Sequence, residues 1–405
     1  MVQSNDAPSS SQVSPLDNCR KPLFFAVANP EELGLAPPAN RRGEAICTWV
    51  RSLSVMQKEA LVVSSHTGRA WRLASDEGAY LMGQDAAPCP LSFFTVGMVS
   101  SFMNELQALA KMRGIKLRDV QLTQDNYYTM TGSALRGTMV GGALPVHLAA
   151  EIDSDSDSRV LTSLVPDAVA ASPINGLMGP VHASQFTLTH NGRAIEVGRV
   201  DSLDRIAETD PGHQFDSSRP AAGNWNDLVS RNGMTPKADE TTSTQGSSLA
   251  DSQDRRLHLQ GICVLRNDGV KQIEQRLYNP HGSIFHFLSD EDGRAPEANA
   301  YASAGVGFCF MTQFGRYAKI AKKELAEYRI VQDTHFSLGG ASSGTGKPGE
   351  SDRIETHVYL KTPHDDDLAR QVLDMSEQTC FLHAFCRTNL KTSIRTRQPR
   401  TAALS

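Results

Sequence analysis

The residues best suited to chemistry in this chain are its cysteines, seven in 405 residues, at 19, 47, 89, 263, 309, 380 and 386. An odd, scattered set is not a disulfide framework. A reducing compartment is therefore the default, and any cysteine with a function is expected to be catalytic or redox-sensing. The reactive form is the thiolate, so such a residue needs a nearby cation or dipole to lower its ordinary pKa of about 8.5. The competing use of a free cysteine is as a small buried hydrophobe. Cys309 and Cys380 stand apart from the other five by their place in a repeat. Ser101 opens SFMNELQALAK and Cys309 opens CFMTQFGRYAK, with Phe102, Met103, Ala110 and Lys111 matched by Phe310, Met311, Ala318 and Lys319. Leu117 with Leu325 and Gln124 with Gln332 keep the same offset. Ser172, in AASPINGL, follows Ser101 at the spacing at which Cys380, in EQTCFLHAF, follows Cys309. A repeat of this length is a duplicated domain rather than a solenoid unit.

The element that must hold Cys309 is a helix. Phe310, Phe314, Tyr317 and Ala318 recur at spacings of three and four, one face of a helix. Ser303, Gly305 and Gly307 strip the first half of that helix of bulk. Two glycines cost a helix about 1 kcal/mol each, so close approach by another backbone is expected to offset them.

The remaining elements fall into two similar sets. Residues 1–57 read as an N-terminal extension, largely disordered, with a short amphipathic helix over 44–58 on Ile46, Trp49, Val50 and Leu53. A first domain over 58–200 carries strands, the 92–111 helix, further strands and a second helix opened by Pro166. Asn191-Gly192 suits the turn of a hairpin that closes this domain. Residues 201–254, ending in PKADETTSTQGSSLADSQD, read as a polar linker. A second domain over 255–395 repeats the order, with its long helix at 298–323 and its second helix at 366–379. Residues 396–405 are a basic, frayed tail. Helices segregated on antiparallel sheets make the fold class α+β.

Composition excludes several functions. The net charge is −5 and the basic residues form no stripe, which argues against nucleic acid. No apolar run reaches the roughly 18 residues of a membrane span. The first residues lack the basic and apolar regions of a secretory signal, so a cytoplasmic setting is expected. The histidines form no HExxH or Cys-x-x-Cys pattern, so neither a metal nor another cofactor is expected.

DEGAYLMGQDAAPCPLSFFTVGMVSSFMNELQALAKMRGI over 76–115, and GVGFCFMTQFGRYA in the second half, resemble the OsmC/Ohr family of thiol-dependent hydroperoxide reductases. The resemblance covers most of both halves. It implies two tandem OsmC-like domains, each an antiparallel sheet with a long central helix and a second helix. They would pack as a pseudo-dimer within one chain that acts as a monomer. It implies that Cys309 is the peroxidatic thiol and Cys380 the resolving thiol of an antioxidant peroxidase. An organic hydroperoxide is then the substrate and an external dithiol the reductant. Arg266, in the turn LRNDG, resembles the family's activating arginine, and Glu297 stands for its glutamate, although it lies twelve residues before Cys309 rather than nine or ten. Phe381 follows Cys380 where the family often has proline. Ser101 and Ser172 fill both thiol slots of the first half, which makes that half redox-dead. The alternative is a non-catalytic OsmC-like protein that binds a small apolar molecule or a protein partner in the crevice between the halves.

Overall fold

The computed structural model describes residues 14–179, 182–237 and 253–398. Four strands, Phe25–Ala26 (β1), Gly43–Ser52 (β2), Lys58–Ser64 (β3) and Ala70–Ser75 (β4), precede the long helix α1, Pro90–Met112. Leu117–Gly132 (β5), Val140–Ala143 (β6) and Val146–Ser154 (β7) follow, then helix α2, Ser158–Ala171. Gln185–His190 (β8), Arg193–Ile195 (β9), Asp201–Ser202 (β10), the short helix Gln214–Ser217 (α3) and Val229–Met234 (β11) come next. Gln253–Leu265 (β12), Lys271–Asn279 (β13) and Ser283–Ser289 (β14) lead into the second long helix α4, Ala298–Ala321. Glu327–Ser337 (β15), Glu355–Lys361 (β16), Asp366–Thr379 (α5), Phe381–Cys386 (α6) and Thr392–Arg397 (β17) complete the chain. None of the described helices is long and apolar enough to cross a membrane.

The α+β class holds, and the two halves exchange strands. One sheet runs β1-β4-β3-β2-β15-β16-β8-β10, and the other β11-β14-β13-β12-β5-β7-β17. The leading hairpins of each half therefore pair with the later strands of the other. β2 lies antiparallel to β15, with Cys47 opposite Asp333, and β12 lies antiparallel to β5, with Cys263 opposite Leu122. Each half ends by lending a parallel strand to the other, β8 to β16 and β17 to β7.

The two long helices pack between these sheets. A Cβ on Gly97 would stand 2.5 Å from the Ala298 carbonyl oxygen, and one on Gly305 would stand 2.7 Å from the Phe94 amide nitrogen. Contacts of residue 97 with 298–302, and of 94 with 305, mean that α1 and α4 run antiparallel. Gly307 serves the other side of α4, where a Cβ would meet Val50 of β2 at 2.9 Å. Phe93 fills the rest of this seam against Tyr301 and Phe308. The second helices start on aspartate caps. Asp157 accepts from the Arg159 amide at 2.7 Å and Asp365 from the Leu368 amide at 3.0 Å, meeting donors that a helix start leaves unpaired.

Several expectations need correction. Pro166 does not open the second helix but lies inside α2, which starts at Ser158. Residues 44–58 are not a helix: 43–52 are β2 and Lys58 begins β3. The spacing of Ile46, Trp49 and Val50 misleads because this strand is buried on both faces. Ile46 and Val50 join the main core under α4, while Cys47 and Trp49 join a second core outside the sheet with Phe25, Leu35 and Phe215. A strand buried on both faces loses its period-two signature. The N-terminal extension is accordingly ordered from residue 14 through β1 and β2. The segment 201–254 is not an open linker over its described part. It contributes β10, α3 and β11, and Trp225 packs edge-on against Trp71. Arg205 fastens this crossing segment by donating to Asp333 at 2.7 Å and Glu208 at 2.9 Å. Residues 238–252, the low-complexity part, lie outside the described residues, as do 399–405 of the tail; 396–397 of the expected frayed tail belong to β17.

Replacing Gly305 by valine should cost about 1–3 kcal/mol by wedging the two long helices apart. Urea denaturation should show the loss. An unchanged midpoint would mean that the helices tolerate separation.

Candidate active site

Cys309 lies midway along α4, and Cys380 is the single residue between α5 and α6. Cys380 has extended backbone angles, φ −72° and ψ 121°. They break the helix there and turn the side chain back toward α4. The two sulfurs stand 3.4 Å apart, and both residues are buried, at 2% and 0% exposure. The Cys380 sulfur also accepts from the His383 amide at 3.5 Å. In the other half Ser172 breaks the chain after α2 in the same conformation, and its Oγ lies 2.7 Å from that of Ser101. The fold thus builds one pair of facing side chains twice, once as thiols and once as hydroxyls.

The charged groups beside each pair come from the opposite half. Next to Cys309, Lys58 at the start of β3 donates from Nζ to Thr312 Oγ1 at 2.7 Å and to the Met56 carbonyl at 2.8 Å. Thr312, one turn beyond Cys309, also donates to Glu77 Oε1 at 3.3 Å, and the Tyr80 hydroxyl donates to Glu77 Oε2 at 2.6 Å. The serine slot has the same frame. Lys271 at the start of β13 donates to Asn104 Oδ1 at 2.6 Å and contacts Glu291 at 3.4 Å.

Burial governs the proton affinities of this frame. It pushes the Cys309 thiol well above its ordinary range, and the neighbouring Cys380 adds to the effect. Burial lowers the Lys58 pKa against the opposing pull of Glu77, Asp76 and Cys309. It raises the Glu77 carboxyl, which Lys58 pulls back down. At rest Cys309 is therefore a protonated thiol beside a lysine–carboxyl pair that can exchange a proton. His383 is not a candidate base: burial pulls its pKa to about 3, and its ring lies 4.6 Å from that of Phe310.

The residues singled out in the sequence separate into two groups. Cys309 and Cys380 meet. Arg266 does not join them: it is exposed in the turn after β12 and pairs with Asp268 at 3.0 Å. Glu297 caps the N-terminus of α4, and twelve residues of helix put it about 18 Å from Cys309. Because α1 and α4 are antiparallel, that end of α4 lies toward Ser101. Glu297 is buried and hydrogen-bonded to the Thr67 hydroxyl, and burial raises its pKa to about 8. The groups that sequence reasoning passed over are Lys58 and Glu77. A signal for Lys58 was present, since it stands in the first half at the repeat position of Arg266. Reading it required knowing that the halves exchange hairpins. Outside this site, Cys47, Glu208 and Asp333 bring donor atoms within 4.8 Å of one another, but the Arg205 guanidinium already lies among the two carboxylates.

The buried Glu297 gives a pH signature. Its pKa is raised by folding, so it binds a proton more tightly in the folded chain, and stability is lost as pH rises from about 4.5 through about 8. Glu297→Gln should therefore raise the melting temperature at pH 8 and change it little at pH 5. Equal shifts at both pH values would contradict the assignment.

Residues 290–395 match the family model described as OsmC-like protein. That stretch contains both Cys309 and Cys380 and is similar to an OsmC-like protein. No curated protein sequence matches the chain. A solved structure, an OsmC-like hydroperoxide resistance protein from Jannaschia sp. CCS1, matches at 21% identity and a TM-score of 0.19, over 31% of this chain and 81% of that one.

Proposed function

We propose that the protein is a thiol peroxidase for organic hydroperoxides, with Cys309 as the attacking thiol and Cys380 as its resolving partner. The observation that carries this reading is the 3.4 Å contact between the two sulfurs, set inside the segment that matches the OsmC-like family. The first half serves as a structural and electrostatic partner through Lys58 and Glu77, while Ser101 and Ser172 keep its own slot inert.

In the first step Cys309 loses its proton to the Lys58–Glu77 pair and the thiolate attacks the terminal peroxide oxygen. The O–O bond breaks, and the alkoxide takes up a proton and leaves as an alcohol. Sulfur is oxidised by two electrons to the sulfenic acid as the peroxide is reduced by two. Cys380 then attacks the sulfenic sulfur. Hydroxide leaves, takes up a proton and departs as water, and a Cys309–Cys380 disulfide remains. An external dithiol returns both sulfurs to thiols by exchange. With both cysteines buried, the peroxide must enter by local opening of the site.

Thiol counting and hydroperoxide consumption test this scheme. Cys309→Ser should abolish peroxide-dependent thiol loss. Cys380→Ser should permit one turnover and leave Cys309 as a sulfenic acid that excess peroxide drives to sulfinic acid. Undiminished consumption by Cys309→Ser would sink the proposal in favour of the binding-protein alternative. The raised thiol pKa also sets the pH profile. Below that pKa the thiolate fraction grows tenfold per pH unit, so the logarithm of the oxidation rate should rise with a slope of about 1 between pH 6 and 9. A flat profile would mean that a cation ionises Cys309 at rest.

A further inference from the structure

A second buried cluster lies on the outer face of the sheet that holds β2, away from the thiol pair. Cys47 on β2 stands opposite Asp333 on β15, and Asp333 stands opposite Glu355 on β16, two residues before His357. The crossing segment lays Arg205 and Glu208 against them. Cys47, Asp333 and His357 are all buried. One donor atom from each of Cys47, Glu208 and Asp333 lies within 4.8 Å of the others.

A single nitrogen, Arg205 Nη2, marks the centre of the set. Asp333 Oδ2 lies 2.7 Å from it, Glu208 Oε1 2.9 Å and His357 Nε2 3.2 Å. A guanidinium nitrogen only donates, so His357 Nε2 presents its lone pair to this point. The ring proton then sits on Nδ1, 2.8 Å from the Thr187 hydroxyl on β8. A histidine that ligates a metal is oriented in this way, by a hydrogen bond on its far nitrogen. The charge around the point is out of balance. Glu208, Asp333 and Glu355 all face one guanidinium, with Glu355 at 3.0 Å and shared with Arg41. Asp333 Oδ1 is buried with no hydrogen-bond partner, and an acceptor left bare in the interior is costly.

The donors select the ion. One sulfur, one imidazole nitrogen and two carboxylate oxygens suit a four-coordinate cation of the zinc type, whereas magnesium and calcium take oxygen alone. Zinc bonds of about 2.0–2.3 Å hold tetrahedral donors about 3.3–3.8 Å apart, so the set closes by about 1 Å around an ion in place of Nη2. An entry path is present. A cavity of about 1110 Å³ between the β8–β9 hairpin and the crossing segment is lined by Arg205, Glu208, Thr187 and Tyr359. The Arg205 side chain is 36% exposed, so it can withdraw into that cavity while the buried donors stay in place.

We propose that Cys47, Glu208, Asp333 and His357 form a zinc-type metal site, with Arg205 as the internal cation that holds it together in the metal-free chain. No sequence motif announces the site, because its ligands come from four separate segments. Metal binding exchanges a fastening made by one flexible side chain for one that ties β2, β15, β16 and the crossing segment to a single ion. The site is independent of the peroxidase reading.

The test follows cobalt(II) and zinc in the full chain, stripped with a chelator and kept reduced. The parent is compared with a Cys309→Ser/Cys380→Ser variant, which removes the other thiol pair from the metal's reach. Both should bind one cobalt(II) with a thiolate-to-cobalt charge-transfer absorption that zinc abolishes. Adding Cys47→Ala to the double variant should remove that absorption. Asp333→Asn, which keeps the shape of the side chain, and His357→Gln should each weaken zinc binding by at least about tenfold, the low end of what the supporting groups of metal sites contribute. Arg205→Gln should strengthen it by at least about tenfold, because the competing cation is gone, and zinc should raise the melting temperature of this variant more than that of the parent. Absence of a zinc-sensitive absorption from the parent and the double variant overturns the proposal, whatever Arg205→Gln binds. So does an absorption that survives Cys47→Ala, or zinc affinity unchanged in both Asp333→Asn and His357→Gln. Affinity that falls or stays constant in Arg205→Gln overturns the role given to Arg205.

Discussion

Everything in this fold depends on how closely two helices can approach. Gly97 and Gly305 bring the backbones of α1 and α4 to a separation that a single extra methyl would violate. The antiparallel crossing fixed by that contact decides which groups meet. It sends the N-terminus of each long helix toward the other's slot residue, and it leaves the exchanged hairpins to supply the charges. A small change in the crossing would separate Lys58 from Thr312, whose side chain lies one turn beyond Cys309.

The thiol and hydroxyl pairs form a comparison within one molecule. Both are buried, both span a long helix and the break before a short helical turn, and both face a lysine and a glutamate from the opposite half. The frame therefore does not depend on sulfur. What sulfur changes is redox chemistry: a hydroxyl pair at hydrogen-bonding distance is a stable, satisfied contact, whereas a thiol pair is a poor hydrogen bond and a short step from a covalent one. Burial holds Cys309 protonated, so under the proposed chemistry the proton would have to pass to the Lys58–Glu77 pair rather than be absent at rest.

Much of this was legible in the sequence. The repeat, the two long helices, and the meeting of Cys309 with Cys380 follow from spacing and glycine content. The exchange of hairpins was not legible, because a strand's partner is set by tertiary pairing and leaves no local trace. That one gap accounts for both errors at the site. Arg266 was assigned to the cysteine of its own half, and Glu297 was measured along its own helix, when the relevant neighbours lay across the crossing. Residues 44–52 misled for a different reason: a second core of Phe25, Trp49 and Phe215 covers the outer face of β2 and removes the alternation that marks a strand. Lys58 shares the repeat position of Arg266 and Glu77 lies in the DEGAYL stretch, yet what ties both to the site is their burial against Thr312.

The exchange of strands within a single chain also has a genetic consequence. In an assembly of two identical subunits, every substitution appears in both sites at once, so neither can be relieved of its chemistry while the other keeps it. A chain that carries both halves can change them one at a time. The serine pair is compatible with such freedom: one slot holds a quiet hydrogen bond while the hairpin of the same half frames the other slot. The first half is thus tied to the thiol slot through the lysine and glutamate it lends. A gene shortened to the second half alone would encode Cys309 and Cys380 but neither Lys58 nor Glu77.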